Sequence, residues 1–544
     1  MKSNIFIKAI LVAFIMISGF SCDTQGFENL DNPKYMLTKQ NADMSLMFTS
    51  TIIDYGRGYI GGNPIQQQGV YVKYYSTYSN LAISGALNQF DQGINDNPWG
   101  AYQTGISKAI TLEDYLVKLD NPNMANNLAM VRILKSALFM RMTDFYGDIP
   151  YTEAGKLAIS NFALNKPVYD TQESIYKDIL LTLETEAPKL TAGVATTWSS
   201  ADLSYSGDMN KWKKFAYSLM LRAAMRISDV DQATAKKYAE LAISNGVIVN
   251  NSDNYIMKTG TSTNPDERND YSRWMAGEGG GDPERYLKLG QYFVDWLKDM
   301  KDPRRMIIFG GRLNPDITAV TAGDMSGYWR VESKWNWNLD EAKGVPHGIN
   351  ANPSPSIAAY HQTYTSPNPF LFINTRPIEL VTASEMLLLI SEAALKGWNT
   401  GSYTKESAFA AGVKANMSQL TGYSGMLAQQ TISAKDMDDY LAAHPLGEGA
   451  TAKRRLAEEM WMTMYLSPAE AWFNVLRMGL NLPPNSTLAG FTMPRRMAYV
   501  NNERSNNLEN MNAAMSRRGW SLDMRREDEV QQRNWWDVQN KLIP

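Results

Sequence analysis

The sequence has 544 residues, of which 44% are hydrophobic and 20% are charged, and its formal net charge is −3. This length allows a large core, and the slight acidic excess without any basic run argues against nucleic acid as a partner. One cysteine and three histidines make a zinc site or a Ser-His or Cys-His catalytic centre a poor hypothesis. We therefore predict no cofactor, no catalytic residue and no catalytic metal, and leave open whether a structural metal ion is bound.

The amino terminus carries an export signal. Two lysines precede an apolar run over residues 9–17, and small residues lead to Cys22, the only cysteine. The run is too short to span a bilayer and predicts a signal peptide over residues 1–21. Small residues before a cysteine resemble the lipobox of bacterial lipoproteins, so we expect lipidation of Cys22 and a tether over residues 22–41. The alternative is an ordinary signal peptide followed by a stray cysteine.

A first helical block is predicted over about residues 100–250. Val131, Leu134, Leu138 and Met142 recur at steps of three and four, which is typical of one apolar helix face. Further helices are predicted over residues 170–190, 208–229 and 233–245. Thr171 is the expected cap of the first of these, and Gly246 is expected to end the last.

A second helical block is predicted over about residues 380–480. Its helices are expected at residues 384–396, 403–417, 453–466 and 469–478. The first two, with their turn, occupy about 34 residues, which is the length of a tetratricopeptide-type hairpin. Strand signals are sparse throughout the chain.

The segment between the blocks, residues 251–380, is rich in loops, with a short helix predicted at residues 286–300. Three consecutive glycines, several prolines and a low apolar content distinguish it. Its aromatic residues include Tyr271, Trp274, Trp329, Trp335 and Trp337. Aromatic residues in loops on a rigid scaffold often bind ligands, although long loops also need hydrophobic anchors of their own.

Several motifs, taken together, carry a family resemblance. They are RMTDFYGDIPY at 141–151, YD at 169–170 with IYKD at 175–178, GD at 207–208 with KWKKFA at 211–216, EAALKGW at 392–398, EAW at 470–472 with RMG at 477–479, PRRMAY at 494–499 with Glu503, Asn506 and Asn507, and WWD at 535–537. Their order and spacing resemble the SusD/RagB family of outer-membrane nutrient-binding lipoproteins, in particular its SusD-like 2 branch.

The resemblance implies a mainly α fold: a scaffold of tetratricopeptide-like helix hairpins with long irregular ligand-binding loops, in a single domain over residues 42–544. It also implies a lipid-anchored protein on the outer face of the outer membrane. Such a protein binds oligosaccharide and delivers it to a SusC-like TonB-dependent transporter without catalysing a reaction. A peptide-binding RagB-like protein and an exported glycan hydrolase are the alternatives.

The expected ligand site is an exposed aromatic platform. By resemblance it includes Trp99 and Tyr102, which follow a turn at residues 95–98. By composition alone it includes the loop aromatics Tyr271, Trp274, Trp329, Trp335 and Trp337, beside Arg273, Arg330 and Asn336. Weaker candidates are Tyr55, Tyr59 and Asn63. Such rings stack on the C–H faces of sugars, while the polar groups bind hydroxyls.

Other prominent residues have structural interpretations. Asp144 and Asp148 are expected to cap neighbouring amides, because two aspartates four residues apart at a helix end seldom form a catalytic pair. Core positions are predicted for Trp212, Trp398 and Trp472. A solvated helix face is predicted for the pairs at residues 454–455 and 458–459.

Overall fold

The computed structural model describes residues 43–57, 67–76, 90–157, 159–193, 198–260, 269, 271–272, 288–313, 335–336, 338–346, 357–424, 430–483 and 492–538. Residues 47–544 form one compact unit, and residues 1–46 form a second, of which 43–46 are described. The signal peptide, Cys22 and the tether lie outside the described residues. They remain predictions, as does the single domain over residues 42–544.

Helices dominate the described residues. They are α1 (Met44–Arg57), α2 (Gly69–Tyr71), α3 (Gln92–Leu119), α4 (Ala125–Tyr146), α5 (Gln172–Glu186), α6 (Met209–Arg226), α7 (Gln232–Asn245), α8 (Gln291–Asp299), α9 (Arg305–Ile308), α10 (Ile357–Thr363), α11 (Ala383–Leu395), α12 (Lys405–Ser424), α13 (Ala434–Ala443), α14 (Gly449–Thr463), α15 (Pro468–Met478), α16 (Asn501–Asn506), α17 (Leu508–Arg517) and α18 (Arg526–Glu529). The predicted mainly α fold is confirmed.

Local signals set the helix ends. The Thr171 hydroxyl accepts a hydrogen bond from the Ser174 amide at 3.2 Å and caps α5, as predicted. Asp208 caps α6 by accepting from two amides of its first turn. Gly246, with a φ of +94°, ends α7, which confirms the predicted stop.

The helices stack in two blocks that meet in the middle. In the first block α3 packs against α4, α4 against α5, α5 against α6, and α6 against α7. In the second, α11 packs against α12 and α14, and α14 packs against α15. Because α11 also packs against α6, the blocks share one core. The tryptophans predicted as core are buried: Trp212 and Trp472 are 0% exposed, and Trp398 is 5% exposed.

The strands in the described residues are two to four residues long. They are β1 (Tyr75–Ser76), β2 (Ile149–Pro150), β3 (Tyr169–Asp170), β4 (Tyr255–Met257), β5 (Lys288–Leu289), β6 (Arg312–Leu313), β7 (Trp335–Asn336) and β8 (Ile378–Val381). Antiparallel pairs form between β1 and β5, β2 and β3, β4 and β8, and β6 and β7. The helix predicted at residues 286–300 is wrong at its start, because Lys288 and Leu289 pair with β1 as a strand.

A central ionic cluster lies where the two blocks meet. It consists of Arg141 and Asp144 from α4, Arg222 and Arg226 from α6, Glu385 from α11 and Glu470 from α15; these six side chains are at most 4% exposed. Arg226 donates to Glu470 and lies 3.3 Å from Asp144, and the Arg222 Nε donates to Glu385 at 2.6 Å. Three positive and three negative groups balance, which buried charge requires.

The predicted capping role is right for Asp148 and wrong for Asp144. Asp148 accepts from the Gln172 amide at 3.0 Å, at the first turn of α5. Asp144 instead accepts from the Tyr176 hydroxyl and pairs with Arg226, because the last three turns of α4 are buried on every side and place its carboxylate against these two side chains. Burial raises the pKa of Asp144 to about 6 against the opposing charge of Arg226.

The predicted solvated face on α14 is also wrong for one of its two ion pairs. Arg454 is 57% exposed and bonds Glu458, as expected for an exposed pair four residues apart. Glu459 is 0% exposed and accepts from Arg455 and from Arg304, at 2.8 Å for the latter. The cause is the helix period, because successive residues are rotated by about 100° around the helix axis. Arg455 and Glu459 each follow a residue of the first pair by one position and therefore face the core.

Candidate functional site

A side chain of α4 contacts the backbone of helix α3 at the position that carries Trp99. Pro98 lies inside the helix and has no N–H to donate to the ladder. The Tyr146 hydroxyl bridges two backbone groups of the helix next to Pro98. It accepts from the Trp99 amide at 3.1 Å and donates to the Asn95 carbonyl at 2.6 Å. These two backbone groups would otherwise bond each other, four residues apart. Trp99 is therefore positioned by a side chain of α4 as well as by its own helix.

A small cleft of about 60 Å³ lies beside Trp99. Its lining residues are Trp99, Gln103, Ile106, Met142, Pro150, Ala154, Gly155, Pro167 and Glu503. We call this the Trp99 cleft. Its volume accommodates a few water molecules or one small substituent of a larger ligand, and its walls are largely apolar.

The Trp99 cleft contains a small number of polar groups. Within the described part of the chain, the Trp99 Nε1 has no hydrogen-bond partner, although the side chain is 4% exposed. Glu503 is buried and accepts from the Tyr169 hydroxyl at 2.9 Å and from the Asn507 amide group at 3.1 Å. Gln103 is exposed at the rim. A carboxylate and an amide among apolar walls are typical of a small-ligand site.

One wall of the cleft belongs to the loop between β2 and β3, residues 151–157 and 159–168, which we call the hairpin loop. It is fastened at its base, where Asp170 accepts from the Tyr151 and Thr152 amides at 3.1 and 2.9 Å. Gly155, with a φ of +66°, lies against α3: a Cβ there would be 2.8 Å from Ile110 and 3.2 Å from the Ser107 backbone. The loop is therefore packed directly onto the helix that carries Trp99.

Three of the rings predicted for an exposed platform are buried. Trp99 is 4% exposed, Tyr102 is 0% and Tyr271 is 4%, and the weaker candidate Tyr55 is 1% exposed. The expectation of an exposed platform is wrong for them, because each packs among other rings; Trp99, for example, meets Tyr146 edge-on at 5.0 Å. Binding through the atoms of Trp99 that line the cleft remains a prediction.

Most of the other predicted site residues belong to the segment between the two helical blocks. Outside the described residues lie Arg273, Trp274, Trp329, Arg330, Trp337, Tyr59 and Asn63. Trp335 and Asn336 are described as strand β7, in which they pair with Leu313 and Arg312 respectively. Their ligand-binding role remains a prediction.

The carboxylates of the central ionic cluster are engaged by arginines. Burial alone would raise the pKa of Glu470, but Arg226, Arg222 and Arg141 lower it to about 2. Each carboxylate of the central ionic cluster is held by arginine and shielded from solvent, so none is placed to donate a proton to a ligand. Across the residues that the structure describes, no group of three or more His, Cys, Asp or Glu side chains could hold a metal ion.

The sequence does not predict that Tyr146, Gln103 and Glu503 lie beside Trp99. Tyr146 and Glu503 belong to the motifs that carry the family resemblance, whereas Gln103 belongs to none of them. One signal was available for Tyr146: a proline four residues into a polar turn before Trp99 frees backbone groups that some side chain must satisfy.

None of the helices in the described segments combines the length and the apolar character that a membrane span requires.

The comparisons with known proteins place the chain among binding proteins. Residues 38–500 match the family model SusD-like 2, described as "Starch-binding associating with outer membrane". None of the curated proteins matches the sequence significantly.

Solved structures with the same fold are similar over nearly the whole chain. A chitin-binding protein shares 26% identity with a TM-score of 0.75, covering 91% of this chain and 100% of its own. A chitin-binding SusD homologue from Flavobacterium johnsoniae shares 21% identity with a TM-score of 0.68, covering 91% of this chain and 99% of its own. A SusD-like protein from Bacteroides thetaiotaomicron shares 21% identity with a TM-score of 0.70, covering 92% and 100%. The last two similarities concern the fold alone.

Proposed function

Because this chain belongs to the SusD-like 2 family of starch-binding proteins that associate with the outer membrane, we propose that it captures oligosaccharide at the cell surface and passes it to a SusC-like TonB-dependent transporter. The observation that carries the proposal is the match over residues 38–500, which spans both helical blocks and the segment between them. In this proposal the protein binds its ligand and catalyses no reaction.

The proposed binding site includes the Trp99 cleft. Its volume suits an exocyclic substituent of a sugar better than a whole ring, and its apolar walls with a few polar groups suit an acetamido group. A solved relative at 26% identity is named a chitin-binding protein. We therefore propose N-acetylglucosamine oligosaccharides as the first ligands to test, with starch oligosaccharides second.

Isothermal titration of the mature chain with chitohexaose, maltoheptaose and a mixed tripeptide pool tests the ligand class. We expect heat from chitohexaose and none from the peptides. Gln103→Ala should weaken chitohexaose binding about fivefold, since one hydrogen bond is worth about 1 kcal/mol. Thr104→Ala is the matched control, because Thr104 is the exposed neighbour whose hydroxyl bonds its own helix at Gly100. Binding of peptides alone would overturn the proposal in favour of a peptide carrier.

The same titration tests the proposed aromatic platform, whose side chains the structure does not describe. Its residues are Trp274, Trp329, Trp335 and Trp337, with Arg273 and Asn336 as hydroxyl ligands. Each ring that stacks on a sugar should cost about tenfold in affinity when changed to alanine, at an unchanged melting temperature. Lowered melting temperatures with unchanged affinity would show that these rings are structural.

The proposed anchor and partner are tested in cells. Cys22→Ala should abolish lipidation and release the protein from the outer membrane, whereas Cys22→Ala protein that stays on the surface would contradict lipid anchoring. Purification of the tagged wild-type protein in mild detergent should recover a β-barrel transporter. Recovery of the free chain alone would contradict the partnership.

A further inference from the structure

The tip of the hairpin loop holds a phenylalanine in a costly backbone conformation. Asn161 and Phe162 have φ values of +50° and +65°. A left-handed conformation is unfavourable for a residue with a bulky side chain, and such residues persist only where the surroundings impose them.

Hydrogen bonds on both sides impose this conformation. The Phe162 amide donates to the Leu157 carbonyl at 2.9 Å, and the Ala163 amide donates to the Ser160 carbonyl at 3.1 Å. The Ser160 hydroxyl accepts from the Leu164 amide at 3.1 Å, and the Ser160 amide donates to the Lys156 carbonyl at 2.9 Å. These hydrogen bonds fix the backbone conformation of Phe162, but they do not bury its ring.

The ring itself projects into solvent. Phe162 is 69% exposed, the largest exposed fraction among the exposed large hydrophobic side chains of the described residues. Exposed Asn161 and Asn165 lie on either side of it in the sequence. A rigid apolar face beside neutral amides matches a sugar ring, which offers C–H groups on its face and hydroxyls at its edge.

The Phe162 backbone is close to the Trp99 cleft. Its amide is 2.9 Å from the Leu157 carbonyl, and Leu157 is two residues from Gly155, which lines the cleft. Two residues span at most about 7 Å, and the backbone atoms of Leu157 and Phe162 add about 4 Å, so the ring is attached within about 14 Å of Gly155. This distance is comparable to two or three sugar units.

We propose that Phe162 is an outer stacking site for the oligosaccharide whose inner sugar reaches the Trp99 cleft. The inference rests on the proposed function. A protein partner fits the tip less well, because a stable protein interface needs about 800 Å² on each side, and one ring covers about 200 Å². The neighbouring exposed apolar side chains, Leu157 and Val168, are each more than half covered already.

The test is titration with a short and a long ligand, chitobiose and chitohexaose. Phe162→Ala should weaken chitohexaose binding five- to tenfold and leave chitobiose unchanged, because only the long ligand reaches the tip. Phe162→Trp should restore the affinity. The control is Leu181→Ala, since Leu181 is 55% exposed and lies on α5, none of whose residues lines the Trp99 cleft.

The outcomes separate this inference from the proposed function. If the wild type binds chitohexaose or maltoheptaose and Phe162→Ala binds it equally well, the outer site is overturned and the proposed function stands. If the wild type binds no oligosaccharide, both are overturned. If Phe162→Ala keeps its sugar affinity but no longer recovers the transporter from detergent extracts, the tip is a protein contact and the inference is wrong.

Discussion

Glu470 is the residue on which the charge balance of the core depends. Arg226 donates to it, and Arg141 and Arg222 lie 3.5 and 3.9 Å from its other oxygen. Glu470→Gln leaves three buried guanidinium groups facing two carboxylates. We expect the free energy of unfolding to fall by about 3 to 5 kcal/mol, measured by urea denaturation.

Asp439→Asn serves as the control for that measurement. Asp439 pairs with Lys435 on α13, these side chains are 62% and 81% exposed, and pairs of this kind contribute about 0 to 1 kcal/mol. Equal effects of the two substitutions would contradict the central role of the buried cluster.

Lys73 makes stability depend on pH at the alkaline side. It is 2% exposed, and burial lowers its pKa to about 7 from 10.5. Between these values the unfolded chain binds more protons than the folded one, so stability should rise with pH from 7 to 10.5. Lys73→Met should stabilise the protein by roughly 3 to 5 kcal/mol below pH 7, where the cost of the charge is complete, and by almost nothing above pH 10.5.

Denaturation at pH 6 and pH 10.5 measures the difference. Lys118→Met is the control, because the side chain of Lys118 is 66% exposed and its removal should have the same small effect at both pH values. A pH-independent effect of Lys73→Met would show that Lys73 is neutral or solvated throughout.

At the scale of the element, α3 depends on the hydroxyl that its neighbour inserts. Tyr146→Phe leaves the Trp99 amide and the Asn95 carbonyl without their shared partner, and both are buried. We expect a loss of about 1 to 3 kcal/mol in stability. In a Pro98→Ala background the helix ladder can close, so the cost of Tyr146→Phe should shrink in a double-mutant cycle. Additive effects would contradict the coupling.

The positions of the helices were predictable because their causes are local. The apolar faces and the caps of α5, α6 and α7 are determined by residues close together in the sequence. The start of α8 was not predictable in this way. Lys288 and Leu289 pair with β1 as a strand, and this contact joins residues far apart in the sequence.

The candidate site was less predictable than the fold for the same reason. The sequence identified Trp99 as an aromatic residue near a turn, but its burial depends on Tyr146 and on the hairpin loop, which approach from other elements. Likewise, the burial of Glu459 depends on Arg304, which lies in a different segment. Phe162 carries no composition signal at all, since its exposure follows from a backbone conformation that loop hydrogen bonds impose.

At the scale of the whole molecule, the carboxyl-terminal segment joins both blocks. The Asn534 side chain donates to the Asp144 carbonyl of the first block at 2.7 Å, and the Trp536 ring lies 6.4 Å from the Phe473 ring of the second block. Trp536→Ala should cost about 3 to 5 kcal/mol, because the ring is 1% exposed. Circular dichroism and tryptophan fluorescence should still report one coincident transition, at lower urea. Two separate transitions would show that the blocks unfold independently.

The central ionic cluster also has a consequence for folding while the chain is being synthesised. Arg141, Arg222 and Arg226 are synthesised before two of the three carboxylates that neutralise them. Glu385 and Glu470 follow Arg226 by 159 and 244 residues. Packing of the first block without Glu385 and Glu470 would leave these arginines either solvated or buried without their full set of partners, and the latter is strongly unfavourable. We therefore expect the first block to complete its packing only when the second block is present.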